Sequence, residues 1–186
     1  MASVTTTRIA SFSLALIMSA VSVAALADVM VGGAPMLASK NIIDNAVNSK
    51  DHTTLVAAVK AAGLVETLKS PGPFTVFAPT NAAFSALPAG TVETLLKPDN
   101  KGTLTTILTY HVVAGKWDAA AISKMIMDGK GMATIKTVSG GTLTAKASGS
   151  KVMLTDEKGG TATVTIADVY QSNGVIHVID KVLLPK

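Results

Sequence analysis

The 186-residue sequence contains no cysteine. No disulfide can staple the fold, no thiolate can bind a metal or act as nucleophile, and no sulfur can carry an N-terminal lipid. Arginine is nearly as scarce, Arg8 being the only one, and aromatic residues make up 4% of the chain. The remaining positive charge is lysine, spread singly with no basic run and little aromatic surface for stacking on bases. The pI of about 9.3 therefore describes a solvated, lysine-bearing surface and not a nucleic-acid binder.

Motifs that carry chemistry are also missing. The three histidines, His52, His111 and His177, show neither an HExxH pattern nor close pairing, and Asp156-Glu157 lacks the further oxygen ligands of a calcium loop. No metal site and no cofactor are expected. There is no G-x-S-x-G elbow, and His177 and Asp180 project from opposite faces of one strand, so no hydrolase dyad forms between them. The paired glycines at 140–141 and 159–160 are hairpin turns, not a phosphate loop. Met125, Met127 and Met132 could offer thioethers to copper(I), but Ile122 and Met125 share helical spacing, which reads as packing.

What is present is apolar: 48% hydrophobic residues and a mean hydropathy of +0.46. Residues 1–27 read as a signal peptide, with Arg8 at the positive start, an apolar run from Ile9 to Leu26, and Ala25 and Ala27 fitting an A-x-A cleavage site. Ser11, Ser13, Ser19 and Ser22 interrupt that run, which argues against a membrane span, and the final VLLPK is too short for an anchor tail. The product is expected to be exported to the periplasm or the extracellular space and not to be an integral membrane protein. Residues 28–40 read as a short flexible leader, since Gly32-Gly33 and Pro35 oppose regular structure, leaving 41–186 as one domain.

Within it, Asn41 to Asn48 reads as a helix clustering Ile42, Ile43, Ala46 and Val47. Asp51 or Thr53 can cap a second helix carrying Leu55, Val56 and Val59 as far as Gly63, with His52 at the surface of its start. Leu64 and Leu68 make one more turn before Pro71-Gly72-Pro73. Short helices are predicted at Val92–Lys97, Leu104–Leu108 and Asp118–Met127, the last capped by Asp118, with YHVVAG (110–115) as a strand. From Ala133 the apolar period becomes two and glycine-containing turns recur, which predicts an antiparallel meander. Its last strand, VIHVIDKV, is apolar on both faces and so is expected to be central and buried. There His177 reads as a neutral, hydrogen-bonded core residue, and His111 likewise.

The stretch FTVFAPTNAAF, Phe74 to Phe84, is a corner. Phe74, Val76 and Ala78 alternate with Thr75 and Phe77 as in a strand, Pro79 ends the ladder, and Thr80 can cap a helix that carries Phe84 and Leu87. Taken in order with YHVV (110–113) and NGVIHVIDKVLLP (173–185), this segment resembles the signatures of the fasciclin-like domain family. The resemblance covers residues 41–186 and implies an α+β fold, a wedge of mostly antiparallel β-strands packed with several short helices. It resembles a secreted, bacterial-type member with one domain where many animal relatives have tandem copies, and Asn81 stands where the family often has an acid.

The family consists largely of non-enzymatic adhesion and matrix-interaction modules, so the resemblance implies a cell-surface or matrix protein or glycan as partner. It points to Asp168 and Val169, which match an Asp-Ile pair tied to receptor binding, and to Tyr110 and His111, which match a Tyr-His pair tied to adhesion. Thr80, Asn81, His177 and Asp180 fall to the structural motif. The alternative is a soluble carrier of an apolar small molecule such as a pigment or lipid, which some family members resemble. The export reading predicts that protein recovered outside the cytoplasm begins at Asp28, which intact-mass measurement checks; retention of residues 1–27 would refute it.

Overall fold

The computed structural model describes residues 28–186; the segment read as a signal peptide, with Arg8, Ala25 and Ala27, lies outside the described residues. In chain order the strands are β1 (Val29–Val31), β2 (Ala34–Met36), β3 (Phe74–Pro79), β4 (Val112–Ala114), β5 (Met132–Lys136), β6 (Thr142–Ser148), β7 (Lys151–Thr155), β8 (Thr161–Gln171) and β9 (Gly174–Ile179). The helices are α1 (Ile42–Ala46), α2 (Thr53–Ala62), α3 (Val65–Lys69), α4 (Asn81–Ser85), α5 (Thr91–Leu95), α6 (Lys101–Tyr110) and α7 (Ala119–Asp128). Seven strands form one sheet in the order β4-β3-β9-β8-β7-β6-β5, antiparallel throughout except for β3 against β9. This is the mostly antiparallel α+β arrangement that the sequence implied. No helix among the described residues is long and apolar enough to cross a membrane.

The strand of the corner segment and the last strand lie side by side, Phe74 opposite Gly174 and Ala78 opposite Val178. Their alternating side chains separate two cores. Val76, Ala78, Ile176 and Val178 face a cluster filled by α1, α2, α4 and α6, while Phe77 and Ile179 face a second one closed by α7 and the meander. The close approach demands glycine, because a Cβ at Gly174 would collide with the Phe74 carbonyl. Its neighbour Asn173 is buried and ties three segments together. Asn173 Oδ1 accepts from Ile42 N at 3.0 Å, and Nδ2 donates to the carbonyls of Leu68 at 2.7 Å and Ser70 at 3.0 Å.

Several expectations are corrected. The leader is a hairpin: Val29 pairs with Met36 and Val31 with Ala34, and Val31 and Met36 are buried in the first core. Gly32 and Gly33, read as disruptive, both have positive φ and make the two-residue turn that such a hairpin needs. His52 is buried and not at the surface, Val47 is exposed, and Tyr110 ends α6 instead of opening a strand. Helix α6 also starts three residues earlier than its apolar stripe, because its polar first turn faces solvent.

The expected caps divide. Thr80 caps α4, its hydroxyl accepting from Ala83 N at 3.3 Å, and Asp118 caps α7 through Ala121 N at 2.8 Å. Neither Asp51 nor Thr53 caps α2. That role is filled from α4, where Asn81 Oδ1 accepts from Thr54 N at 3.0 Å while its Nδ2 donates to Lys50 O at 2.8 Å. Asn81 thus locks the corner to the start of α2. Asn81→Ala is expected to lower stability by about 1–2 kcal/mol and Asn81→Asp, which keeps the acceptor at a helix start, by well under that, as measured by urea unfolding.

Candidate functional site

The longest strand, β8, slips register against β9 twice, between Val164 and Ile166 and again between Ile166 and Val169. The irregular stretch ends at Asp168, whose φ of +58° lies in the left-handed region that most residues avoid and aspartate tolerates. Two bonds hold it there. Asp168 Oδ1 accepts from Ala119 N, the first residue of α7, at 2.7 Å, and Asp168 N donates to His177 Nδ1 at 3.4 Å. The other ring nitrogen, His177 Nε2, donates to the Trp117 carbonyl at 2.7 Å, and the ring stacks on Phe77 with centroids 5.6 Å apart.

His177 therefore bridges the bulge to the segment that opens α7. Burial holds its imidazole below the ordinary histidine value, opposed by the Trp117 carbonyl bond and then by Asp168 and Asp118. Beside Asp168 the half-buried Tyr170 carries Lys116 Nζ 4.6 Å above its ring. Partial burial, and after it the charges of Asp168 and Asp118, push the Tyr170 phenol up.

The other positions named from sequence are internal. Tyr110, His111 and Val169 are buried, so as folded they present no surface to a partner, and only Asp168 of the four reaches it. The Tyr110 hydroxyl donates to Thr142 O at 2.7 Å and accepts from Glu157 N at 3.1 Å; burial first pushes its phenol up to about 12. His111 Nδ1 donates to Ile107 O at 2.8 Å and Nε2 accepts from Leu183 N at 3.0 Å, pinning the final segment. Asp180 Oδ1 accepts from Thr163 N at 2.7 Å, a strand-end contact.

Sequence reasoning missed three buried polar residues. Asn45 bonds Gln171 and the backbone of Leu37, Asn173 joins α1 to α3, and Asp156 accepts from Lys158 N, Gly160 N and Leu184 N. A turn-forming NG or DE dipeptide was visible for the last two, but nothing in a one-dimensional pattern marks such residues as interior.

The chemistry available is limited. Ser49 Oγ lies 2.9 Å from His52 Nδ1, a buried pair one helical turn apart, and His52 Nε2 has no protein hydrogen-bond partner among the described residues. Burial lowers His52; the Ala78 carbonyl is close enough to oppose the shift but makes no hydrogen bond of normal geometry. This pair borders a cavity of about 40 Å³ walled by residues such as Ile43, Leu55, Phe77 and Val112. That is several-fold below the roughly 300–1,000 Å³ typical of small-molecule sites. Among the described residues no three acidic or histidine side chains converge as metal ligands, and Met127 and Met132 are exposed while Met125 packs on the second core.

A family model described as the fasciclin domain matches residues 50–185. The chain belongs to the fasciclin domain family. It is similar to Protein sll1483 of Synechocystis sp., 53% identical over 77% of this chain and 73% of the relative. It is likewise similar to Immunogenic protein MPB70 of Mycobacterium bovis, 40% identical over 75% of this chain and 66% of the relative. Among solved structures, a FAS1 domain pair from the insect cell adhesion molecule Fasciclin I superimposes with a TM-score of 0.69 at 18% identity, covering 78% of this chain and 51% of that one. At that identity the match speaks for the fold alone.

The buried histidines give this fasciclin domain a defined acid response. Unfolded, His111 takes up a proton near its ordinary value of about 6.5; folded, burial holds it down to about 4. The native state thus binds fewer protons between those values, and the contribution is complete above pH 6.5 and lost as pH falls towards 4. Unfolding free energy is expected to decrease over that window by roughly 3 kcal/mol from His111, with His52 and His177 adding in the same direction. His111→Asn should be less stable at pH 7 and show a shallower decline, measured by urea unfolding at a series of pH values.

Proposed function

We propose that this is an exported, non-enzymatic interaction module that binds a cell-surface or matrix protein or glycan, with Asp168 at the centre of the contact. The single observation behind this reading is the bulge on β8. A bulge re-aims a side chain out of a regular ladder, and here it sets a carboxylate in a left-handed conformation, at the surface, next to the Lys116–Tyr170 pair. The strained residue is over-determined by Ala119 and His177, an arrangement found where a fixed orientation matters more than local comfort.

Family membership supports the reading. A relative 35% identical over 83% of this chain is the Cell surface glycolipoprotein MPB83 of Mycobacterium bovis. Enzymatic activity has little to work with, since His111 and His177 each use both ring nitrogens on backbone groups and the Ser49–His52 pair is enclosed. A pigment or lipid carrier finds no specific support, because the enclosed cavity beside His52 is too small for such a cargo without opening the core and the roomier groove beside Trp117 lies open to solvent. A single fasciclin domain gives no avidity of its own, so tight adhesion through this patch alone requires a repeated partner or self-assembly.

The experiment is binding of the purified protein to a panel of immobilised matrix proteins and glycans, comparing parent with Asp168→Asn. The amide keeps an oxygen for Ala119 N and tolerates the left-handed backbone while removing the charge, so stability is expected to fall by no more than about 1 kcal/mol. Binding to the recognised partner should fall several-fold. A melted variant would assign Asp168 to the scaffold, and unchanged binding by a folded variant would refute the proposal.

A further inference from the structure

The seven-stranded sheet has two ends, β4 and β5, and it curls until they nearly meet. Val138 N, just past β5, donates to Val112 O on β4 at 2.8 Å. Past that bond the two strands do not pair, and between them runs a groove of about 340 Å³, lined by Val113, Ala114, Trp117, Met125 and the residues of β5 from Thr134 onward.

Both walls are strand edges whose direction is fixed by pairing alternation. On β4, Val113 faces β3, since His111 O accepts from Phe77 N and Gly115 N donates to Pro73 O; the main-chain groups of Val112 and Ala114 therefore point outward. On β5, Thr137 N donates to Gly141 O, so Ala133, Ile135 and Thr137 face β6, while those of Thr134 and Lys136 point outward like Val138. One outward acceptor on β4, Ala114 O, is covered by the Trp117 indole, whose Nε1 donates to it at 3.0 Å. The flanks are apolar and open. Met132, which begins β5, and Val138, which follows it, are each about half exposed, at 51% and 49%.

We propose that this seam is a strand-docking site for an extended peptide segment of a partner protein, one that alternates apolar residues and carries an acidic side chain. The main chain of such a segment would find donors and acceptors on either edge, as in recognition by strand addition. On one face its apolar side chains would cover Met125; on the other, which carries Met132, Thr134, Lys136 and Val138, its acidic side chain would lie beside Lys136. Among the described residues Lys136 is the one charged residue lining the groove and it makes no salt bridge, which selects an acidic and not a basic peptide. The indole on Ala114 O is displaced when the edge is occupied. This surface differs from the Asp168 patch, the two meeting only at Trp117, whose carbonyl takes the His177 bond while its indole lines the groove, and the proposal extends the interaction-module reading.

Trp117 is the only tryptophan in the chain, so its emission reports on the groove directly. The probe is the peptide acetyl-Val-Thr-Val-Glu-Val-Thr-amide, titrated against the full chain while Trp117 fluorescence and backbone amide shifts are followed. Saturable binding is expected, with shifts concentrated at Ala114, Thr134 and Lys136. A backbone N-methylated analogue should bind at least about tenfold more weakly, having lost its ladder donors.

Thr134→Pro removes an outward N–H at an edge position that tolerates proline, and should weaken binding while the fold is retained. Lys136→Glu should disfavour this peptide and favour its Glu-to-Lys counterpart. Asp168→Asn should leave peptide binding unchanged, which separates the two sites. The proposal is overturned if the peptide produces no saturable change, if the N-methylated analogue binds equally well, or if Trp117 emission changes with protein concentration alone, which would make a second copy the occupant.

Discussion

The parallel pairing of β3 with β9 is the constraint on which the rest of the fold depends. Two strands that are apolar on both faces cannot sit at a surface, and each alone would expose a row of aliphatic side chains. Laid together at the middle of the fold they become a partition. One face of the pair supplies Val76, Ala78, Ile176 and Val178 to the helical core, and the other supplies Phe77 and Ile179 to the core under α7. The proline that ends β3 and the threonine that follows then fix the direction in which the chain leaves, so the angle between sheet and helices is set at the same place where the cores divide.

Around this partition, buried polar side chains take up main-chain groups that the irregular connections leave unpaired. Asn173 serves the start of α1 and the end of α3, His111 joins α6 to the final segment, and His177 joins the β8 bulge to the approach of α7. Each joins segments far apart in sequence. Removing one strands a desolvated donor or acceptor, which costs roughly 1–3 kcal/mol, so each has a structural role that needs no contact to a partner. A tyrosine-histidine or asparagine-glycine motif can thus be a family hallmark for mechanical reasons.

A packed interior changes how the candidate positions are weighed. Tyr110 and His111 are buried and hold geometry, whereas Asp168 stands at the surface and is itself held by His177 and α7. The same scaffold leaves one weak seam, where the curled sheet closes through a single main-chain bond beside Trp117. Sheet edges are where added strands bind, and full closure would have removed the opportunity.

The sequence alone determined the parts governed by local periodicity and turn chemistry: the alternation of FTVFAP, the Thr80 and Asp118 caps, the meander after Ala133, and the burial of VIHVI on both faces. These follow from side-chain direction and steric preference over a few residues, which a linear pattern records. It could not show that Gly32-Gly33 turns a hairpin into the core, that Asn81 caps a helix from outside it, or that His52 lies inside. Those outcomes depend on which distant surface arrives to cover a residue. Tertiary structure alone decided that Asp168 lies outside and Tyr110 inside, because burial is a property of the neighbours a residue acquires, and its own sequence context does not name them.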